Sequence, residues 1–201
     1  MNKLFKSVLA SGLLCVAIMG QALANNLPEN TIQIADGVYS YGSPKGSYYS
    51  MFVVTDDGVI VVEPVNTPHA KGVLTAIKQI TDKPIRYLLH SHNHWDHSGG
   101  GQVFRDEGAM IIAHQEARDW MKANPHRDMA FPDEDWTGKR KDIVLGGRTI
   151  ELHYLGMNHG LGMTVFRLPK EKSFILLTSS LQSVCYLTLC LISISKKRNE
   201  R

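Results

Sequence analysis

The sequence predicts an α+β fold, on the evidence of three patterns. Between residues 31 and 63, short runs rich in β-branched and aromatic residues alternate with turns that contain Gly, Asp and Pro. Beyond residue 68, segments with helical apolar spacing alternate with short apolar runs. The 201 residues are 43% hydrophobic and 20% charged, a composition typical of a globular domain. We therefore expect one domain with a sheet-rich entry and helices after it.

The entry segment predicts four strands of an antiparallel meander, which span residues 31–34, 38–41, 48–55 and 59–63. Helices and strands alternate beyond it. The predicted helices span 69–80, a stretch that ends near Glu107, and 115–124; the predicted strands span 85–89, 109–113, 142–145, 149–155 and 163–168. Residues 124–141 are long enough to form a flap over a site rather than a simple connector.

The first 24 residues have the pattern of a signal peptide. Lys3 and Lys6 precede an apolar run at residues 8–19, and Ala22-Leu23-Ala24 supplies the small residues that a signal peptidase recognises. An uncleaved membrane anchor is the alternative, but the apolar run is short for a span. We therefore expect export to the periplasm or the medium, with a mature chain that begins near Asn25.

Charge and cysteine content narrow the class of protein. The formal net charge is +3, and removal of Lys3 and Lys6 leaves about +1, with no basic face for nucleic acid. Of the 3 cysteines, only Cys185 and Cys190 follow the predicted leader, so no disulfide framework is indicated. The expected partner is a small-molecule substrate, and the sequence indicates no oligomeric state.

The residues that carry chemistry are concentrated directly after the predicted strand 85–89. The segment reads HSHNHWDH from His90 to His97 and contains the pattern His-x-His-x-Asp-His. Side chains two residues apart share a face on extended backbone, so His92 and His94 can converge on one cation. Asp96 and His97 follow at a tighter turn and can face a second cation, as in two-metal hydrolases. The alternative is a solvated polar loop, but crowded imidazoles and a carboxylate would be costly there without metal.

A second turn supplies another candidate ligand. His159 lies in the segment LGMNHGLGMT, a glycine-rich turn between two predicted strands. A third neutral imidazole beside His92 and His94 would complete a three-histidine site whose fourth position is open for water. These ligand types suit one or two zinc ions, and iron or manganese is compatible with them.

The remaining histidines are interpreted as non-ligands. His90 stands one place outside the pattern and at most supports a ligand by hydrogen bonding. Trp95 and Trp136 are compatible with lining a pocket or with packing. No metal role is expected for four further histidines: His69, His114, His126 and His153.

Together these features resemble the metallo-β-lactamase superfamily over about residues 34–169. The shared features are the sheet-rich entry, an acidic residue that ends an early strand, the histidine motif followed by glycines, and the later histidine turn. The resemblance implies an αββα sandwich. It also implies that one metal is held by His92, His94 and His159, and the other by Asp96 and His97.

The resemblance further implies a hydrolase, in which metal-bound hydroxide attacks a carbonyl of a β-lactam, a lactone or another ester-type substrate. Asp96 would both ligate a metal and orient the nucleophile. Glu63 stands where the family usually has an Asp that supports the site. Predicted export favours a β-lactamase-like or lactonase-like activity.

The resemblance weakens near residue 172. Family members continue into a strand that ends in a metal-bridging Asp, with a further histidine later, whereas residues 170–201 contain neither Asp nor His. We therefore expect residues 25–172 to be an incomplete domain, the N-terminal half of the sandwich, and residues 173–201 to be an atypical tail from truncation or a frameshift. Residues 174–195 carry no charge and precede three basic residues, so a membrane anchor is a second interpretation. A catalytically inactive metal-binding remnant is the alternative to an active enzyme.

Overall fold

The computed structural model describes residues 27–42, 48–170 and 173–175. Within these ranges the strands are β1 Thr31–Ala35, β2 Val38–Gly42, β3 Tyr49–Val54, β4 Val59–Val62, β5 Ile85–Leu89, β6 Met110–His114, β7 Glu134–Trp136, β8 Arg140–Leu145, β9 Arg148–Tyr154, β10 Thr164–Leu168 and β11 Ser173–Ile175. The helices are α1 Thr67–Ile80, α2 Trp95–Ser98, α3 Gly101–Asp106 and α4 Gln115–Ala123. The predicted signal peptide and the tail beyond Ile175 lie outside the described residues.

The larger sheet has seven strands in the order β1 to β7. The first four form the predicted antiparallel meander, and β4 to β7 are parallel. Helix α1 joins β4 to β5, and α4 lies between β6 and β7, because parallel neighbours need a crossover connection. The carboxyl ends of the parallel strands consequently meet at one edge of the sheet.

The smaller sheet is antiparallel and has the order β11-β10-β9-β8. Its buried face packs against the larger sheet through a core that includes Val53, Ile60, Leu89, Ile150 and Phe166. A second core lies between the other face of the larger sheet and the helices, and includes Phe52, Val61, Ala70, Val73 and Phe104. Helices and two stacked sheets give three layers among the described residues, and the predicted α+β fold class is confirmed.

One predicted connector contains unexpected regular structure. Residues 124–141 do not form a single flap, because Glu134–Trp136 pairs in parallel with β6 as an edge strand of the larger sheet. Trp136 is buried in the core between the sheets, and Asp135 forms a 2.7 Å ion pair with Arg118. The prediction of one long flap was therefore wrong.

The described part of the tail continues the smaller sheet. Ser173–Ile175 forms β11, which pairs antiparallel with β10. None of the helices in the described ranges is long and apolar enough to cross a membrane. The proposed span at 174–195 lies almost wholly outside those ranges.

Candidate metal centre

Three imidazoles from two separate segments converge at the carboxyl edge of the larger sheet. The candidate ligand atoms of His92, His94 and His159 all lie within 4.8 Å of one another. The ring of His159 lies 5.2 Å from that of His92 and 4.8 Å from that of His94, centroid to centroid. His92 is buried, His94 is half-buried and His159 is exposed, so the cluster opens to solvent on one side.

The local backbone explains why the motif gathers its side chains. The chain leaves the sheet at the end of β5, and extended His94 then precedes the short helix α2. That single turn carries Asp96 and His97, whose Oδ2 and Nε2 atoms are 3.8 Å apart. The two side chains therefore lie close together, and the Asp96 side chain is 52% exposed.

Glu63 supports this pair from the neighbouring strand. Its carboxylate Oε1 accepts a hydrogen bond from His97 Nδ1, and both side chains are buried. Glu63, His92 and His97 form a second group whose candidate ligand atoms lie within 4.8 Å of one another. The structure thus places Glu63 against the histidine motif.

The protonation of the motif is set by burial and by its neighbours. Burial, and after it the surrounding imidazoles, lower the pKa of His92 to about 2. Burial and His159 also lower the pKa of His94. Burial lowers the pKa of His97 as well, but the hydrogen bond and charge of Glu63 outweigh it, so the net pKa is raised. His92 and His94 are consequently neutral at neutral pH, the form that binds metal.

Unpartnered polar atoms test whether these residues fit a cation. Glu63 Oε2, His92 Nε2 and His97 Nε2 are buried and have no hydrogen-bond partner. A buried polar atom without a partner costs about 1–3 kcal/mol. A divalent ion accepts a lone pair from atoms of these types, so unpartnered imidazole nitrogens and a carboxylate oxygen at this place fit a cation site.

Three contacts at the site were not predicted from the sequence. The Tyr48 hydroxyl donates to Asp96 Oδ2 at 3.1 Å. Ser91 Oγ lies 2.7 Å from His92 Nδ1, and Asn93 Oδ1 accepts from the backbone N–H of Leu161 at 2.8 Å. Ser91 and Asn93 alternate with the motif histidines, which is a sequence signal for a supporting role.

The other residues considered from the sequence lie outside both clusters. Within the described ranges, neither cluster contains His69, His90, His114, His126 or His153. Trp95 is 50% exposed and stacks on His126 with ring centroids 5.0 Å apart, whereas Trp136 is buried. Trp136 therefore has a packing role, and Trp95 lies at the surface next to the motif.

Clustered imidazoles and carboxylates at the ends of parallel strands, in a domain of two stacked sheets, define a metal-binding α+β domain. A sequence model of the metallo-β-lactamase superfamily matches residues 44–175, well over half of the chain. The chain therefore belongs to the metallo-β-lactamase superfamily.

Individual relatives agree with this assignment. The chain is 27% identical over 129 residues to the 2,4-dinitroanisole O-demethylase subunit alpha of Nocardioides sp. (strain JS1661). It is 26% identical over 173 residues to the type 2 metallo-β-lactamase of Elizabethkingia meningoseptica. The two alignments take in 63% and 82% of this chain, but only 39% and 66% of those relatives' lengths.

Solved structures share the fold. A metallo-β-lactamase from Pontibacter korlensis superposes with a TM-score of 0.63 at 20% identity, over 72% of this chain and 69% of that one. A subclass B3 metallo-β-lactamase of Bradyrhizobium japonicum superposes with a TM-score of 0.58 at 21% identity, over 70% of this chain and 57% of that one. These likenesses establish the metallo-β-lactamase fold that the sequence resemblance implied.

Proposed function

We propose that this chain is an exported, zinc-dependent hydrolase that acts on a carbonyl of a small-molecule substrate. The observation that carries the proposal is the convergence of His92, His94 and His159 from two segments more than sixty residues apart. The pattern of the first 24 residues supports export.

The ligand assignment combines the three-histidine cluster with the neighbouring pair Asp96 and His97. His92, His94 and His159 would hold one ion, and Asp96 and His97 would hold a second. Zinc suits these ligands, and iron or manganese is compatible with them. When bound, such an ion supplies Lewis acidity, which makes water more acidic and a carbonyl more electrophilic.

The residues of the chain prepare the site for that chemistry. Glu63 accepts a hydrogen bond from His97 Nδ1. This bond fixes the orientation of the ring and leaves Nε2 as the atom that can bind a metal. Tyr48 donates to one carboxylate oxygen of Asp96 and so restrains this exposed side chain. Asp96 can then accept a proton from a water molecule at the open side of the cluster.

The proposed substrates are carbonyl compounds in general, a wider class than the substrates in the names of the relatives. One relative is named for a β-lactam-cleaving activity and another for demethylation of 2,4-dinitroanisole. A β-lactam, a lactone or another ester-type compound would present an attackable carbonyl to this site. We favour a β-lactam or a lactone, because export is expected.

A catalytically inactive metal-binding protein is the alternative, and the ligand count favours it. Among the described residues, a group of three candidate ligands includes His97 with Glu63 and His92, but neither such group includes Asp96. A form anchored to the membrane through residues 174–195 is a variant of either proposal.

Hydrolysis by zinc-loaded protein decides between the enzyme and the inactive alternative. We expect turnover of a chromogenic cephalosporin, a lactone or an aryl ester that is abolished by a chelator. His92→Ala should reduce kcat/KM by at least about 100-fold, because it removes a ligand and leaves the site uncompleted.

His153→Ala is the matched control. His153 lies half-buried in β9, and its Nε2 lies 2.9 Å from Glu151, outside both clusters. Its activity should equal that of the unmodified protein. Absence of turnover on all three substrate types by a folded, zinc-loaded protein would favour the inactive alternative.

A further inference from the structure

The turn that carries His159 has few contacts of its own. Leu155 and Met157 are 76% and 78% exposed, and Asn158 and His159 are exposed too. Exposed side chains do little to fix a backbone, so the position of the His159 ring must depend on the later part of the turn.

The later part is tied directly to the histidine motif. Asn93 is buried, and its Oδ1 accepts from the backbone N–H of Leu161 at 2.8 Å. Leu161 follows His159 by two residues, and Asn93 stands between His92 and His94. This one hydrogen bond therefore joins the segment of the third imidazole to the segment of the first two.

Gly160 allows the turn to come this close. A Cβ atom at Gly160 would lie 2.5 Å from His92 Cδ2 and 2.9 Å from Asn93 Oδ1. Real Cβ atoms do not approach that closely, so a side chain at this position would push the turn away from the motif. A backbone hydrogen bond from Thr164 N to Ser91 O, 2.7 Å long, joins the end of the same turn to the histidine motif.

From these contacts we infer that Asn93 is a positioning residue, which holds the His159 turn against the motif so that three imidazoles can meet. The histidines of the motif would face a bound ion, and the residue between them holds the third ligand in place. The inference rests on the metal centre proposed above. Asn93, the middle residue of the His-x-His pattern, would therefore raise metal affinity without touching the metal.

The test measures zinc affinity and the local protection of the turn. Zn²⁺ affinity is determined by competition with a chromophoric chelator, and amide hydrogen exchange of Leu161 is followed in the metal-free protein. Asn93→Ala should weaken zinc binding by about 10- to 100-fold, the usual effect of losing a residue that supports a metal ligand. It should also accelerate exchange at Leu161 without a matching loss of protection in β5.

Three further variants make the test specific. Asn93→Asp keeps an oxygen acceptor and should restore slow exchange at Leu161. Gly160→Ala leaves Asn93 intact but displaces the turn, so it should weaken zinc binding even if Asn93→Ala fails to fold. Asn158→Ala removes the same type of side chain from an exposed position of the same turn and should change neither quantity.

The outcomes separate this inference from the proposed function. Unchanged zinc affinity and unchanged protection of Leu161 in a folded Asn93→Ala protein would overturn the inference alone. If the unmodified protein binds no Zn²⁺, the proposed function fails, and exchange at Leu161 then decides whether Asn93 holds the turn.

Discussion

At the scale of single residues, Glu63 shows how the backbone is shaped for the site. Its φ is +69°, and that of the β-branched Val65 is +68°, a region that non-glycine residues rarely adopt. Each such residue costs about 1–3 kcal/mol. Backbone bonds from Glu63 N to Leu89 O and from Val65 N to His97 O hold the conformation. The strand end is thereby bent so that the carboxylate reaches His97.

His69 gives a prediction of pH dependence that is independent of the metal. The side chain is buried in α1, and its Nε2 lies 2.9 Å from Ser50 Oγ. Burial lowers the pKa of His69 from 6.5 to about 4. Below pH 6.5 the His69 imidazole is protonated in the unfolded chain but stays neutral in the folded one. Its contribution therefore lowers the free energy of unfolding as pH falls toward 4. The loss between pH 7.5 and pH 5 should be about 2 kcal/mol.

Urea unfolding of metal-free protein at pH 7.5 and pH 5 measures this effect. His69→Gln keeps a polar group that can reach Ser50 but does not titrate, so its loss of stability between the two pH values should be smaller by about 2 kcal/mol. Equal losses in the two proteins would show that His69 is protonated normally in the folded state.

At the scale of elements, helix α1 joins the larger sheet to the segment that follows α4. Asn66 caps the helix by accepting from His69 N at 3.0 Å. The carboxylate of Asp128 accepts from the backbone N–H of Thr67 and from its hydroxyl. These bonds satisfy backbone donors that the first turn of a helix leaves free. The helix start is therefore fixed beside the bent strand end that carries Glu63.

Removal of the cap should weaken the fold and spare the metal centre. Asn66→Ala loses the bond to His69 N and should lower the free energy of unfolding by about 1 kcal/mol, measured in urea at pH 7.5. Thr75→Ala is the control, because Thr75 is exposed within the same helix and its hydroxyl donates a hydrogen bond to Lys71 O. Zinc affinity should stay within about twofold in both variants, because neither residue touches the clusters. A large drop in zinc affinity in Asn66→Ala would show that the cap also positions the site.

At the scale of the whole molecule, the metal centre links elements that belong to different sheets. Glu63 and His92 follow β4 and β5 of the larger sheet, whereas His159 lies in the turn between β9 and β10 of the smaller one. The outer face of the smaller sheet carries ion pairs, in which Glu151 is paired to Arg140 and Arg167. A bound ion would therefore add a crosslink between the sheets, beyond their apolar core and the hydrogen bonds of Ser91 and Asn93 to the smaller sheet and its turn.

Metal should consequently stabilise the whole domain. We expect about one tightly held equivalent of Zn²⁺, because one cluster offers three imidazoles, whereas a second ion would rely mainly on the pair Asp96 and His97. At a free concentration 100 times the Kd, one ion should raise the free energy of unfolding by about 2.7 kcal/mol, seen as a higher Tm.

His159→Ala tests the crosslink between the sheets. This variant should lose most of the zinc-dependent rise in Tm, whereas its Tm in a chelator should match that of the unmodified protein. Metal analysis that found two tightly held equivalents would contradict the expected stoichiometry. A zinc-dependent rise of the same size in His159→Ala would remove His159 from the ligand set.

The fold class and the main ligand candidates could be predicted because their signals are local. The β-branched and aromatic runs of the entry strands and the helical spacing of α1 each report burial within one element. The spacing His-x-His-x-Asp-His likewise places donors within reach of each other before any tertiary contact forms. Strand β7 was missed because three residues carry no periodic signal of their own, and their pairing with β6 determines their conformation.

The sequence by itself determined the family resemblance, the order of most elements and the residues able to bind metal. Only the tertiary structure showed that Asn93 holds the turn of His159 and that Tyr48 holds Asp96, contacts between residues 68 and 48 positions apart. Local patterns indicate which face of an element is buried, but not which atoms meet across two elements. Those contacts depend on how the sheets and loops pack together, and this packing is a property of the whole fold.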